Sequence, residues 1–149
     1  MMISYMAKID YETIKILVAD SSALVALAKA SDSTHPLAHE VVDALSEDVT
    51  IVVAAEIFSE TLNVLWKKVD KETAIKTGKD LVSSSRILIP ETTMEIRREA
   101  LTMFQNLRSK MINFTDCIVM IFAKKYGTSF ILGFDEGFKK NGFKRLGID

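Results

Sequence analysis

The run "KILVAD", Lys15 to Asp20, limits the possible folds more than any other stretch of the chain. Ile16, Leu17, Val18 and Ala19 follow one another without polar alternation. That is the pattern of a strand covered on both faces, and such strands belong to parallel sheets sandwiched between helices. The run then stops at a carboxylate. A buried charge without a partner is costly, so Asp20 must meet water, a bonding group or a cation. Which of these applies depends on what else arrives at the same strand end.

The rest of the chain alternates strands with helices. Residues 15–19, 49–54, 86–89 and 129–134 read as strands, with "FKRL" (143–146) as a final edge strand. Helices are expected over 22–29, 36–46, 56–69, 71–83 and 114–126, with a helical turn after Asp135. The segment from Thr92 opens with a Thr92/Glu95 capping box, and Met94, Leu101, Met103, Phe104 and Leu107 recur at helical spacing. Core packing is the expectation for those five. On the helix after the second strand, Phe58, Leu62, Leu65, Trp66 and Val69 form the apolar stripe opposite Glu56, Glu60, Asn63 and Lys67. Pro36 and Pro90 fall at element boundaries, and no repeat or linker interrupts the pattern. The expected architecture is one α/β domain over 1–149, a central mostly parallel sheet of four to five strands with helices on both faces. Residues 1–14 form an N-terminal extension or edge segment.

Ligands of such sheets bind outside the carboxyl ends of the strands, so acids just after strands carry the functional question. Asp20 follows the first strand and Asp135 follows "SFILGF". Glu56 and Glu60 lie on the helix leaving the second strand, and Asp116 lies in the first turn of the helix after "NFTD" begins. Each has an ordinary alternative. Asp20 can cap a helix, Asp116 can sit third behind an Asn113 cap, Asp135 can be a turn residue before a glycine, and Glu60 can belong to a wet stripe. If the four meet, their repulsion calls for a cation, and carboxylates without His or Cys suit Mg2+ or Mn2+.

Composition narrows the field. With 19 basic and 20 acidic residues the net charge is −1 and the pI about 6.1, so the chain is not a basic nucleic-acid binder as a whole. Lys67–Lys68, Lys124–Lys125 and the Lys139, Lys140, Lys144, Arg145 group read as solvated surface. No apolar run is long enough to cross a bilayer, and Lys8, Asp10 and Glu12 in "MMISYMAKIDYE" argue against an export signal. The single Cys117 excludes an internal disulfide and fits a reducing cytoplasm as a small core residue. His35 and His39 share a helix face but offer too few ligands for a metal, so a surface or capping role is expected.

Taken together, "VADSSALVAL", "IFSETLNVLWKK", "FTDCIVMIFAKKYG" and "ILGFDEGFKKNGFKRL" resemble, in order and chemical character, the PIN-domain nucleases and in particular the VapC-like toxins, from about Lys15 to Leu146. The resemblance implies that Asp20, Glu60, Asp116 and Asp135 bind one or two Mg2+ or Mn2+ ions and carry the catalysis. The segment "TLNVL" favours Glu60, with Glu56 as the alternative acid. Ser22 and Thr115 would hold the acids in place. The implied activity is endonucleolytic hydrolysis of RNA leaving a 5′-phosphate and a 3′-hydroxyl, with the metal acidifying a water and neutralising the scissile phosphate. A small antitoxin protein and a homodimer are the partners such proteins have. The chain departs from the family at Gly133, where a Ser or Thr is common, so a hydrogen bond supporting Asp135 is expected to be missing. Its first acid also comes late, at residue 20.

Three rivals are weaker or different in kind. A haloacid-dehalogenase phosphatase needs a second Asp where Ser22 stands, and a dinucleotide site needs glycines that "DSSAL" lacks. A catalytically inactive PIN fold serving RNA binding or protein interaction is the remaining alternative, and metal binding separates it from a nuclease.

Overall fold

The structure, a computed structural model, describes residues 9–149. After a 3-10 turn at Tyr11–Thr13, the order is β1 (Ile16–Ala19), α1 (Ser21–Ala28), α2 (His35–Ala44), β2 (Thr50–Val52), α3 (Ala55–Lys68) and α4 (Lys71–Ser83). Then come β3 (Ile87–Leu88), α5 (Met94–Asn106), α6 (Phe114–Lys125), β4 (Phe130–Leu132), α7 (Glu136–Lys140) and β5 (Lys144–Arg145). The elements expected from the sequence are all present, with strand ends trimmed by one or two residues.

The five strands form one sheet in the order β3-β2-β1-β4-β5, every pair parallel. β1 is central, with Val18 in register with Val52 on one side and Ile131 on the other. That position explains its uniform apolarity, since Leu17, Val18 and Ala19 are fully buried. The chain first builds outward through β2 and β3, then crosses back to β4 and β5. Right-handed crossovers therefore put α1–α4 on one face and α5–α6 on the other. The packing agrees: α1 lies on α2 and α3, α3 on α4, α5 on α6, and α6 on β1. The strand order reverses between β1 and β4, where an open α/β sheet leaves its crevice.

α6 is apolar around its whole circumference, and Cys117 to Ala123 are all buried, so it is the helix of the interior rather than of the surface. Cys117 is fully covered, and burial pushes its thiol up to about 11, which keeps it an inert core residue. The two histidines act at a helix end. His35 Nδ1 bonds the Ala26 carbonyl at 2.6 Å and His39 Nε2 the Leu27 carbonyl at 3.2 Å, closing the C-terminus of α1.

Several expectations need correction. α5 is capped by Thr93, whose Oγ1 accepts from the Ile96 N–H at 3.3 Å. The Thr92/Glu95 box does not form, because the Thr92 hydroxyl donates to Glu56 and Glu95 pairs with Lys125 at 3.0 Å. Of the five apolar residues of that segment, Met103 and Leu107 pack on the core while Met94, Leu101 and Phe104 are exposed. On α3, Leu65 is buried but Trp66 is 61% exposed, and Val69 just past the helix end is open to solvent, because α4 covers only part of the stripe. Arg145 is not surface charge. It is buried, gripping Asp149 through Nε and Nη2 at 2.9 Å each and donating to the Phe134 carbonyl at 3.1 Å.

The expected extension at 1–14 and the absence of an export signal fall partly on residues 1–8, which lie outside the described residues. Within the described part, Tyr11 and Ile14 belong to the core, and the Tyr11 hydroxyl accepts from the Gly147 N–H at 2.9 Å. No helix among the described residues is long and apolar enough to cross a membrane. Tyr11→Phe leaves that amide without a partner and should lower the free energy of unfolding by about 1–2 kcal/mol, read from the urea midpoint at unchanged slope.

Candidate active site

The carboxyl end of β1 joins that of β4 directly: the Asp20 N–H donates to the Leu132 carbonyl at 2.8 Å. Asp20 occupies the N-cap position of α1, yet its side chain makes no capping bond. The ordinary cap alternative therefore fails there. Ser22 Oγ instead donates to Asp20 Oδ2 at 3.3 Å and accepts from the Phe134 N–H at 3.3 Å, tying the two strand ends through one hydroxyl.

Asp116 and Asp135 do cap helices. Asp116 Oδ2 accepts from the Asn113 N–H at 3.0 Å while Asn113 Oδ1 accepts from the Asp116 N–H at 2.8 Å, a reciprocal capping box at the start of α6. Asp135 Oδ1 accepts from the Gly137 N–H at 3.0 Å at the start of α7. In both, the cap uses one carboxylate oxygen and leaves the other without a protein hydrogen bond among the described residues. The same holds for Glu60, whose Oε2 accepts from Ser21 Oγ at 2.6 Å.

Glu56 and Glu60 differ sharply. Glu56 is held by the Thr92 hydroxyl and by Arg97, Nη2 to Oε2 at 3.6 Å, so its charge is already answered. Glu60 reaches Asp20 and Asp116 electrostatically. None of the ion pairs among the described residues includes Asp20, Glu60, Asp116 or Asp135.

The consequences appear in the acidities. Burial first, then the charges of Asp116 and Glu60, push the Asp20 carboxyl up to about 7 against the bonds from Ser21 and Ser22. Burial raises Asp116 to about 6, offset by the Asn113 N–H and reinforced by Asp135 and Glu60. Both are nearly covered, at 7% and 6% exposure. Asp20, Glu60 and Asp116 supply only oxygen donors and form no ion pair among the described residues, while Asp135 feels the Arg145 guanidinium at longer range. Such a set matches a hard divalent cation, which offsets both the cost of burying the charges and their mutual repulsion. The donor set thus fits Mg2+ or Mn2+. No three acidic, histidine or cysteine side chains among the described residues converge as ready-made ligands. A bound ion would draw the acids together through the oxygens their caps leave unused.

Two expected supports turn out differently. Thr115 makes no side-chain hydrogen bond to any of the four acids. Position 133 does not face Asp135: a Cβ on Gly133 would sit 2.9 Å from the Asp20 Cβ and 3.3 Å from Ile131 Cγ2. Glycine there lets the β4 turn close against Asp20, and Ser22 supplies the link through the Phe134 N–H. Ser21 as the partner of Glu60, and the Thr92–Arg97 clamp on Glu56, were not assigned from sequence. The doubled serine in "DSSAL" was a legible signal for the first, whereas nothing local announces the second.

The model of the PIN domain family matches residues 17–144. Among solved structures, the toxin VapC20 of Mycobacterium tuberculosis, described as cleaving the sarcin–ricin loop, superposes with a TM-score of 0.81 at 18% identity, covering 89% of this chain and 98% of that one. No curated protein sequence matches.

In EDTA, Asp20 and Asp116 bind protons in the folded state up to about pH 7 and 6, whereas unfolded carboxyls release them near 3.8. The folded state holds more protons across that window, so stability falls as pH rises from about 5 to 7 and levels off above. The carboxylates with lowered values (Asp32, Asp48, Asp70, Asp149) are already ionised throughout and do not reverse the sign. Thermal melts at pH 5, 6, 7 and 8 should show this slope in the wild type and a flatter one in Asp20→Asn. Separately, Gly133→Ala should cost about 1–3 kcal/mol by crowding Asp20, measured by urea unfolding, and Gly133→Ser should be no better.

Proposed function

The chain belongs to the PIN-domain family, and we propose that it is a metal-dependent endoribonuclease, the toxin of a VapBC-type toxin–antitoxin pair. The observation that carries this reading is the pair of buried carboxylates Asp20 and Asp116 at the β1/β4 reversal, with half-buried Asp135 and exposed Glu60 beside them and no ion pair to any of the four among the described residues, at the place where an open α/β sheet binds its ligand. Burying acids with raised values and no cationic partner costs stability, so the arrangement makes physical sense as a cation and phosphate site.

Asp20, Glu60 and Asp116 would hold a Mg2+ or Mn2+ ion, with Asp135 completing the site; such an ion neutralises charge on the scissile phosphate and makes a neighbouring water more acidic. The chain's own residues set the stage. Ser22 fixes Asp20 against the β4 end, Ser21 fixes Glu60, and the Asn113 and Gly137 amides fix Asp116 and Asp135. Each acid is thereby oriented through one oxygen, and a nearby cation would favour the ionised forms of Asp20 and Asp116. In-line hydrolysis of an RNA phosphodiester then yields a 5′-phosphate and a 3′-hydroxyl.

A cytoplasmic setting, a homodimer and a small antitoxin complete the reading. The exposed Met94, Leu101 and Phe104 on α5 support a protein partner. An inert PIN scaffold is the second reading, and Gly133 gives it weight; against it, Asp135 is held by the Gly137 N–H at 3.0 Å.

Cleavage of a quenched fluorescent RNA tests the proposal. Activity is expected with Mn2+ or Mg2+, none in EDTA, and Asp116→Asn should lose at least about a hundredfold in rate, as removal of several kcal/mol of charge stabilisation requires. Asp116→Asn cleaving as fast as the wild type would remove the site from the reaction.

A further inference from the structure

A cleft of about 630 Å3 opens beside Glu60 along the outer side of α3. Glu60, Asn63 and Lys67 line it at helical spacing, so the three share one face and lead away from the acids over about 10 Å at 1.5 Å per residue. Lys68 and, from the start of α5, Arg97 add positive charge to its walls. Arg97 is held rigidly: Nη1 donates to the Thr92 carbonyl and Nη2 faces Glu56 at 3.6 Å. Lys67 and Lys68 enter no ion pair among the described residues. Against Lys67, Lys68 and Arg97 stand Glu56 and Glu60, so the cleft lining carries a net charge of +1 on a chain whose net charge is −1, with the two lysines at the end away from the acids.

We propose that this cleft carries the backbone of the RNA strand next to the scissile bond, with Lys67 and Arg97 on successive phosphates and Asn63 between them. The inference rests on the ribonuclease reading and names how its site takes hold of substrate. Charge favours an anionic occupant, and continuity with Glu60 favours one that also reaches the acids. No aromatic side chain lines the cleft, so bases find no stacking platform there. Binding at this position is therefore through phosphates, and indifferent to sequence. An acidic protein segment is the other kind of anion, and the experiment separates the two.

The test uses Asp116→Asn protein in EDTA, which binds without cutting, and a fluorescein-labelled single-stranded RNA of mixed sequence read by anisotropy across a salt series. Adding Lys67→Gln should weaken binding roughly three- to tenfold at low salt and reduce the slope of log K against log salt by about 0.7, one phosphate contact on a single strand. Lys67→Arg should restore both, and Lys124→Gln, outside the cleft, should change neither. Lys67 is exposed on a helix, so the substitution leaves the fold alone. Affinity and slope unchanged in Lys67→Gln, or lowered equally by Lys124→Gln, would overturn the cleft assignment and leave it to a protein ligand. Metal-dependent cleavage by the wild type, measured separately, tells that failure apart from failure of the ribonuclease reading.

Discussion

Asp20 ends a strand buried on both sides, and much of the surrounding structure is arranged around that carboxylate. Parallel pairing with β2 and β4 places it at the centre of the sheet, where water is scarce. Burial first, and then the like charges of Asp116 and Glu60, disfavour its ionised form. Gly133 is small because the β4 turn closes against Asp20, and Ser22 bonds both ends of that closure. The candidate site is thus a local excess of negative charge held by a rigid apolar frame.

The frame uses the same residues twice. Asp116 and Asp135 start helices in the ordinary way, through one oxygen accepting a backbone N–H. The cap gives each side chain a fixed direction without further packing, and the second oxygen is left for chemistry. Glu56 shows the contrasting outcome. Four residues before Glu60 on the same helix, it is tied to Thr92 and Arg97 and so braces α5 against α3. Its pairing also holds Arg97 in the cleft beside Glu60. A structural ion pair and a candidate substrate track therefore share one arginine.

The sequence was legible wherever the signal was local. The uniform aliphatic run of β1, the helices at α4 and α6, and the Asn113 cap are all where the sequence placed them. Where burial depended on a neighbour, local signal failed. Trp66 and Val69 continue the stripe that buries Leu65, and only the extent of α4 decides that they are exposed. Met94 and Phe104 match core spacing on a helix whose outer face is uncovered among the described residues. Thr92 satisfied the capping pattern one residue early, because Glu56, far away in sequence, takes its hydroxyl. Arg145 looked like surface charge until Asp149 and the Phe134 carbonyl enclosed it. Glu56 and Glu60 likewise differ through distant partners, Thr92 and Arg97 for the first and Ser21 for the second, which their spacing on one helix does not announce.

The central claim is that these carboxylates form a site completed by a divalent cation. Its most direct test is the melting temperature at pH 7.5 during a Mn2+ titration, for the wild type and Asp20→Asn. The account predicts that the wild type is progressively stabilised, by about 2.7 kcal/mol when Mn2+ reaches a hundred times its dissociation constant, and that Asp20→Asn is not. A wild type indifferent to Mn2+, or an equal rise in Asp20→Asn, would contradict it.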